Sequence, residues 1–131
     1  MSYQWIEHTG ELELRIDAAT EAAVFEDAMG AVRELLSSGG DGERVSREFR
    51  VEAADRAALL AAWIDELVYV AESEGLVPEH LTEIRLHAEG LAATVTAQRA
   101  EPPHLIKAAT YHRLELTPRE GGFHATVVLD V

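Results

Sequence analysis

The second half of the chain constrains the fold most. From Ile84 to Val131 apolar and polar residues alternate in runs separated by little except turn residues. Ile84, Leu86 and Ala88 alternate with polar neighbours, Glu89-Gly90 reads as a hairpin turn, and Leu91, Ala93, Val95 and Ala97 continue the pattern. Pro102-Pro103 breaks it. His112, Leu114 and Leu116 resume it, Gly121-Gly122 makes another tight turn, and Ala125, Val127, Leu129 and Val131 complete it. A period of two marks a half-buried strand, because successive side chains point to opposite faces. Four such strands need an apolar cover, and the first half of the chain must supply it.

That half supplies two helices. Leu12, Leu14 and Ile16 alternate with Glu11, Glu13, Arg15 and Asp17 as a first strand. Thr20 then offers an N-cap, Glu21 suits the first helical turn, and Val24, Ala28, Ala31, Val32 and Leu35 follow at helical spacing, with Gly39 soon after the end. Val45, Phe49, Val51 and Ala53 suggest a second strand. Asp55 caps a second helix running to about Gly75. Its apolar residues, Leu59, Leu60, Trp63, Ile64, Leu67, Val70 and Ala71, form a face broad enough to be packed on more than one side. The expected order is β-α-β-α-β-β-β-β. Two helices cannot cover both faces of every strand, so the fold class is α+β: two helices on a mixed or antiparallel sheet, in one domain over residues 1–131. The glycine cluster Gly39-Gly40-Asp41-Gly42 is read as a loop, not a linker.

Charge narrows function. Eleven basic against 24 acidic residues leave a formal net charge of −13, which opposes direct binding to a polyphosphate backbone or an anionic membrane. With no cysteine there is no disulfide framework, thiolate metal site or cysteine nucleophile. No apolar run is long enough to span a bilayer, and Met1 to Trp5 lacks the regions of a signal peptide, so a cytoplasmic protein is expected. Phosphate loops, dinucleotide fingerprints, zinc helices and nucleophile elbows are absent. The six histidines, His8, His80, His87, His104, His112 and His124, include no pair at metal-ligand spacing on one helix.

Three clusters stand out. Glu7-His8-Thr9-Gly10-Glu11 sits at the mouth of the first strand, where Gly10 permits close backbone approach. Lys107-Ala108-Ala109-Thr110-Tyr111-His112 leads into a later strand, and Lys107 is the single lysine beside ten arginines. Val127-Val128-Leu129-Asp130-Val131 places Asp130 next to a terminal carboxylate, on a strand apolar enough to dock in the sheet. A strand-entry turn, a charged strand edge and a frayed end are the plain structural readings of the three.

Together these residues resemble the archease family. The family's opening Glu-His-Thr-Ala-Asp is matched by Glu7-His8-Thr9-Gly10-Glu11, with glutamate for the aspartate and glycine for the alanine. Its Lys-Ala-Val-Thr-Tyr-His is matched by Lys107 to His112, its closing hydrophobic-Leu-Asp-Ile/Val by Val128-Leu129-Asp130-Val131, and its Trp-Leu-x-Glu-Leu helix by Trp63-Ile64-Asp65-Glu66-Leu67. The resemblance implies a non-enzymatic activator of an RtcB-type RNA ligase, which speeds guanylylation and turnover in tRNA splicing or RNA repair and meets RNA only through the ligase. It also implies a divalent-metal site at Glu11 and Asp130, with Val131 adding oxygens and the family lysine at Lys107. Hard oxygen donors suit calcium first, with magnesium or manganese as alternatives. His8, Thr110 and His112 are then expected to orient the ligands. A metal-dependent phosphoester hydrolase using the same oxygens and a general chaperone or assembly modulator are the competing readings.

Overall fold

The computed structural model describes residues 2–37, 39–103 and 106–131; His104 lies outside them. Nine elements follow one another: β1 (Ser2–His8), β2 (Glu11–Ala18), α1 (Glu21–Leu36), β3 (Arg44–Glu52), α2 (Arg56–Glu74), β4 (Leu76–His87), β5 (Gly90–Arg99), β6 (Ala108–Arg119) and β7 (Gly122–Asp130). They form two antiparallel sheets, one ordered β1-β2-β7-β6 and the other β3-β5-β4. The α+β class and the two helices are as expected. The element order gains one strand, β1, and the strands divide between two sheets rather than one. β1 escapes a period-two reading because Ile6 lies on the face opposite Tyr3 and Trp5, so both faces carry large side chains.

Both helices are capped by the residues expected. Thr20 Oγ1 accepts the Ala23 N–H at 3.1 Å, and Asp55 Oδ1 accepts the Ala58 N–H at 2.8 Å. An Asp55→Ala variant is expected to lose about 1 kcal/mol of stability, read as a lower urea midpoint at unchanged slope. An unchanged midpoint would show that the cap adds nothing here. Gly75 ends α2 in the left-handed conformation, its N–H bonded to the Ala71 carbonyl.

The helices join the sheets. α1 packs on β1, β2 and β7 of the first sheet and on β4 of the second; α2 packs on β6 and β7 and also on β3 and β4. That explains the broad apolar face of α2. Trp63, Ile64 and Leu67 are fully buried in one core with Leu14, Ile16, Phe25, Leu91, Val95, Val127 and Leu129. The Trp63 indole meets the Phe49 ring edge-on at 5.5 Å and donates its N–H to the Phe25 carbonyl at 3.0 Å.

Two strand boundaries differ from expectation. β4 begins at Leu76, not near Ile84, and carries Pro78. It is an edge strand, and its register shifts between Pro78 and His80, which is where a strand tolerates a residue without an N–H. The β4–β5 turn is Ala88-Glu89 instead of Glu89-Gly90. Gly90 belongs to β5, where a Cβ would run into the Val51 carbonyl of the neighbouring strand.

Candidate functional site

The first sheet has one apolar face and one charged face. Leu14, Ile16, Ala125, Val127 and Leu129 turn inward to the helices. The residues between them build cross-strand rows on the other side. One row is His8, Glu11, Asp130 and Ala108; the next is Ile6, Glu13, Val128 and Thr110; the third is Gln4, Arg15, Thr126 and Glu115. Residues directly opposed in an antiparallel pair share a face, with Cβ atoms about 5 Å apart.

The first row is where the three sequence clusters meet. Glu11 at the start of β2 opposes Asp130 at the end of β7. The N–H of Lys107 donates to the Asp130 carbonyl at 2.9 Å, and the N–H of Val131 donates to the Gly10 carbonyl at 3.3 Å. Opening motif, lysine segment and closing residues therefore lie at one corner of the first sheet. Gly10 has its own task there. Its φ of +73° is the left-handed region, and a Cβ would meet nothing within 4 Å. Its value is thus conformational freedom in the Thr9-Gly10 turn, not the close approach expected from sequence.

A second segment holds the lysine stretch. Asp65 Oδ1, on α2, accepts the Ala109 N–H at 2.7 Å. Burial pushes the Asp65 carboxyl above its ordinary pKa, and the Ala109 N–H partly offsets this. Next along β6, Tyr111 is exposed. The N–H of His112 donates to Thr110 Oγ1 at 3.3 Å.

His8 opposes Glu11 in register, but its ring Nε2 lies 3.1 Å from Glu13 Oε1. Glu13 is the group that sequence reasoning missed. Its side chain is 4% exposed, and it also takes the Nε–H of Arg15 at 2.6 Å and lies 3.3 Å from the Arg113 guanidinium. The Arg15 hydrogen bond is the main cause of a lowered Glu13 pKa; burial opposes it, and His8 and Arg113 add to the lowering. Arg113 reaches further, to 3.9 Å from Glu11. It does so from a bulge in which β6 shifts register between Thr110 and Glu115, at a φ of +56° rarely adopted by a side-chain-bearing residue. Glu13 and Arg15 looked like ordinary solvent-side positions of an alternating strand. Nothing in the sequence marked the Arg113 bulge.

The donors suit a hard cation in kind. Glu11 and Asp130 are opposed carboxylates with Val131 adjacent, and carboxylate oxygens favour calcium, magnesium or manganese. Among the described residues no three His, Asp or Glu side chains gather closely enough to hold a metal alone. A cation here would rest on two side chains and take its other oxygens from main chain, water or a partner, an arrangement usual for magnesium.

The fold and corner define a small α+β protein, two antiparallel sheets joined by a pair of helices, that presents a charged corner where its first hairpin and last strand meet. A family model described as the Archease protein family matches residues 3–131. The protein archease of Methanosarcina mazei is 32% identical, covering 98% of this chain and 95% of its own length. That of Methanosarcina barkeri is 28% identical over the same shares. Among solved structures, protein 1598 of Methanobacterium thermoautotrophicum aligns with a TM-score of 0.68 at 25% identity over 98% of both chains. The fold is also shared, at a TM-score of 0.71 and 22% identity, with an archease of Thermotoga maritima described as a possible chaperone, over 96% of this chain and 94% of that one. The chain belongs to the archease family. Among the described residues no helix is long and apolar enough to cross a membrane.

Proposed function

We propose that this protein activates an RtcB-type RNA ligase, speeding its guanylylation and its return to use after turnover, in tRNA splicing or RNA repair. The observation that carries the reading is the meeting of Glu11, Lys107 and Asp130 at one corner of the first sheet, contributed by three distant parts of the chain. Two opposed carboxylates repel unless a cation or a partner's positive charge sits between them. Glu11, Asp130 and Val131 would hold a divalent cation, calcium or its harder relatives, which would supply positive charge at the contact. Lys107 is exposed and is a compact donor suited to a phosphate oxygen in a ligase site. Exposed Tyr111, on β6 just after Lys107, offers the partner an aromatic anchor, and aromatic rings carry much of the binding energy of interfaces. The charge of −13 steers the protein toward a basic ligase surface and away from free RNA.

The test is a guanylylation and multiple-turnover ligation assay with the cognate ligase, with calcium, magnesium or manganese added in turn. Wild-type protein is expected to stimulate both. Asp130→Ala and Lys107→Ala should each lower stimulation by about tenfold or more, since each removes a charged contact. No stimulation of an active cognate ligase would defeat the proposal. A general chaperone would instead suppress aggregation of unrelated proteins and be indifferent to Lys107→Ala.

A further inference from the structure

Beside the corner, on the same charged face, the first sheet carries a cavity of about 600 Å³ whose lining includes Glu13, Arg15, Arg113, Glu115, Arg119 and His124. Three of the chain's ten arginines are collected there. Against them the lining sets two carboxylates, Glu13 and Glu115, while Glu11 and Asp17 lie just outside it, 3.9 Å from Arg113 and 2.8 Å from His124. The lining is therefore net positive by one with His124 neutral, on a protein whose total charge is −13. We infer that this cavity is a binding site for a phosphate group, free or as the head of a small phosphate ester.

The two carboxylates arrange the arginines without saturating them. Glu13 is enclosed by its own partners, with Arg15, Arg113 and His8 all turned to it. It spends its charge on them and fixes the first two guanidiniums at the cavity wall. Arg15 uses only its Nε–H on Glu13. A guanidinium carries five N–H donors, so among the described residues its terminal nitrogens stay available. Arg119 is freer still. Its described pairing is with Glu115 at 3.9 Å, longer than a hydrogen bond. His124 closes the far side, its Nδ1 2.8 Å from Asp17 Oδ1 and its Nε2 3.4 Å from Glu115. Forked guanidiniums offer paired N–H donors that match the oxygens of a tetrahedral dianion better than they match a lone chloride.

The surroundings set the size of the ligand. The acidic surface beyond the cavity opposes a polynucleotide. The lining has no Phe, Tyr or Trp ring on which a base would stack. What remains is recognition through the phosphate itself. This inference does not depend on ligase activation, because a protein that stimulated no ligase would still bind the anion.

The test is NMR of the full chain, with Arg Nε–H and backbone amide signals followed as inorganic phosphate is added at constant ionic strength, pH 7. A parallel titration with glycerol phosphate separates a free-phosphate site from an ester site, since the tighter arm names the source. Saturable shifts are expected at Arg15, Arg113 and Arg119. Arg119→Gln should weaken binding about tenfold. Arg99→Gln, which alters an exposed arginine paired with Glu43 and outside the cavity, should not. The Arg119 side chain is exposed and, among the described residues, its ion pair is with Glu115 alone, so its variant should keep the wild-type amide spectrum elsewhere. Shifts that chloride reproduces, no saturation in either arm, or full binding by Arg119→Gln would each overturn the inference.

Discussion

Trp63→Ala is expected to lower the stability of the protein by about 3–5 kcal/mol, the range for deleting a large buried aromatic ring. Three losses combine. Trp63 is fully buried, so its removal opens a cavity between the helices and the second sheet. The edge-on contact with Phe49 disappears, worth about 0.5–1.5 kcal/mol beyond its area. The indole N–H no longer reaches the Phe25 carbonyl, which ties α2 to α1. Trp63→Phe should cost less, because the ring volume is partly restored while that hydrogen bond stays lost. Urea unfolding followed by far-UV circular dichroism measures both; fluorescence would not, since Trp63 is one of only two tryptophans. A cost below about 1 kcal/mol for the alanine variant would mean that this residue does not join the layers.

The second large effect is expected at Glu13 and depends on pH. The Glu13 carboxyl titrates below its ordinary value in the folded protein, chiefly because Arg15 donates to it. A group with a depressed folded pKa contributes stability that is fully present above its unfolded pKa, about 4.3 for glutamate, and is lost as pH falls through the folded value. Glu13→Ala should therefore destabilise at pH 7 by about 1–3 kcal/mol. The figure is below that for a deeply buried pair because Arg15 and Arg113 are partly exposed and can turn to water. The difference from wild type should shrink as pH drops below about 4. Stability curves of both proteins from pH 7 to pH 3 decide it. A difference that grew toward acid would show that Glu13 is not held ionised by its neighbours.

Much of the fold was legible because its signals are local. Thr20 and Asp55 cap by chemistry within three residues, and Gly75 ends a helix through its own φ. The breadth of the α2 apolar face foretold contact on two sides. The misses have equally physical causes. β1 carries apolar side chains on both faces, so no clean period appears, and Pro78 disguises the start of an edge strand that tolerates it. The division into two sheets is set by which strands pair, a tertiary fact that alternation does not encode.

The corner was reached through motif resemblance, and the register then places Glu11 opposite Asp130. Its neighbours were hidden. Glu13 and Arg15 have the same pattern as any solvent-side strand residue. Arg113 turns toward them only through an unusual backbone angle inside a bulge. Asp65 stood in the quoted helix motif, but its partner is a backbone N–H 44 residues away.

The pairing of β2 with β7 has a consequence for how the protein comes into being. These strands are neighbours in space and lie near opposite ends of the sequence, so closing them traps a very long loop. The charged corner therefore exists only once these distant segments are joined, at the loop-closure cost of a long-range contact. A chain in which β7 has not docked lacks the opposed pair Glu11 and Asp130, so the feature proposed to meet a partner depends on the complete first sheet.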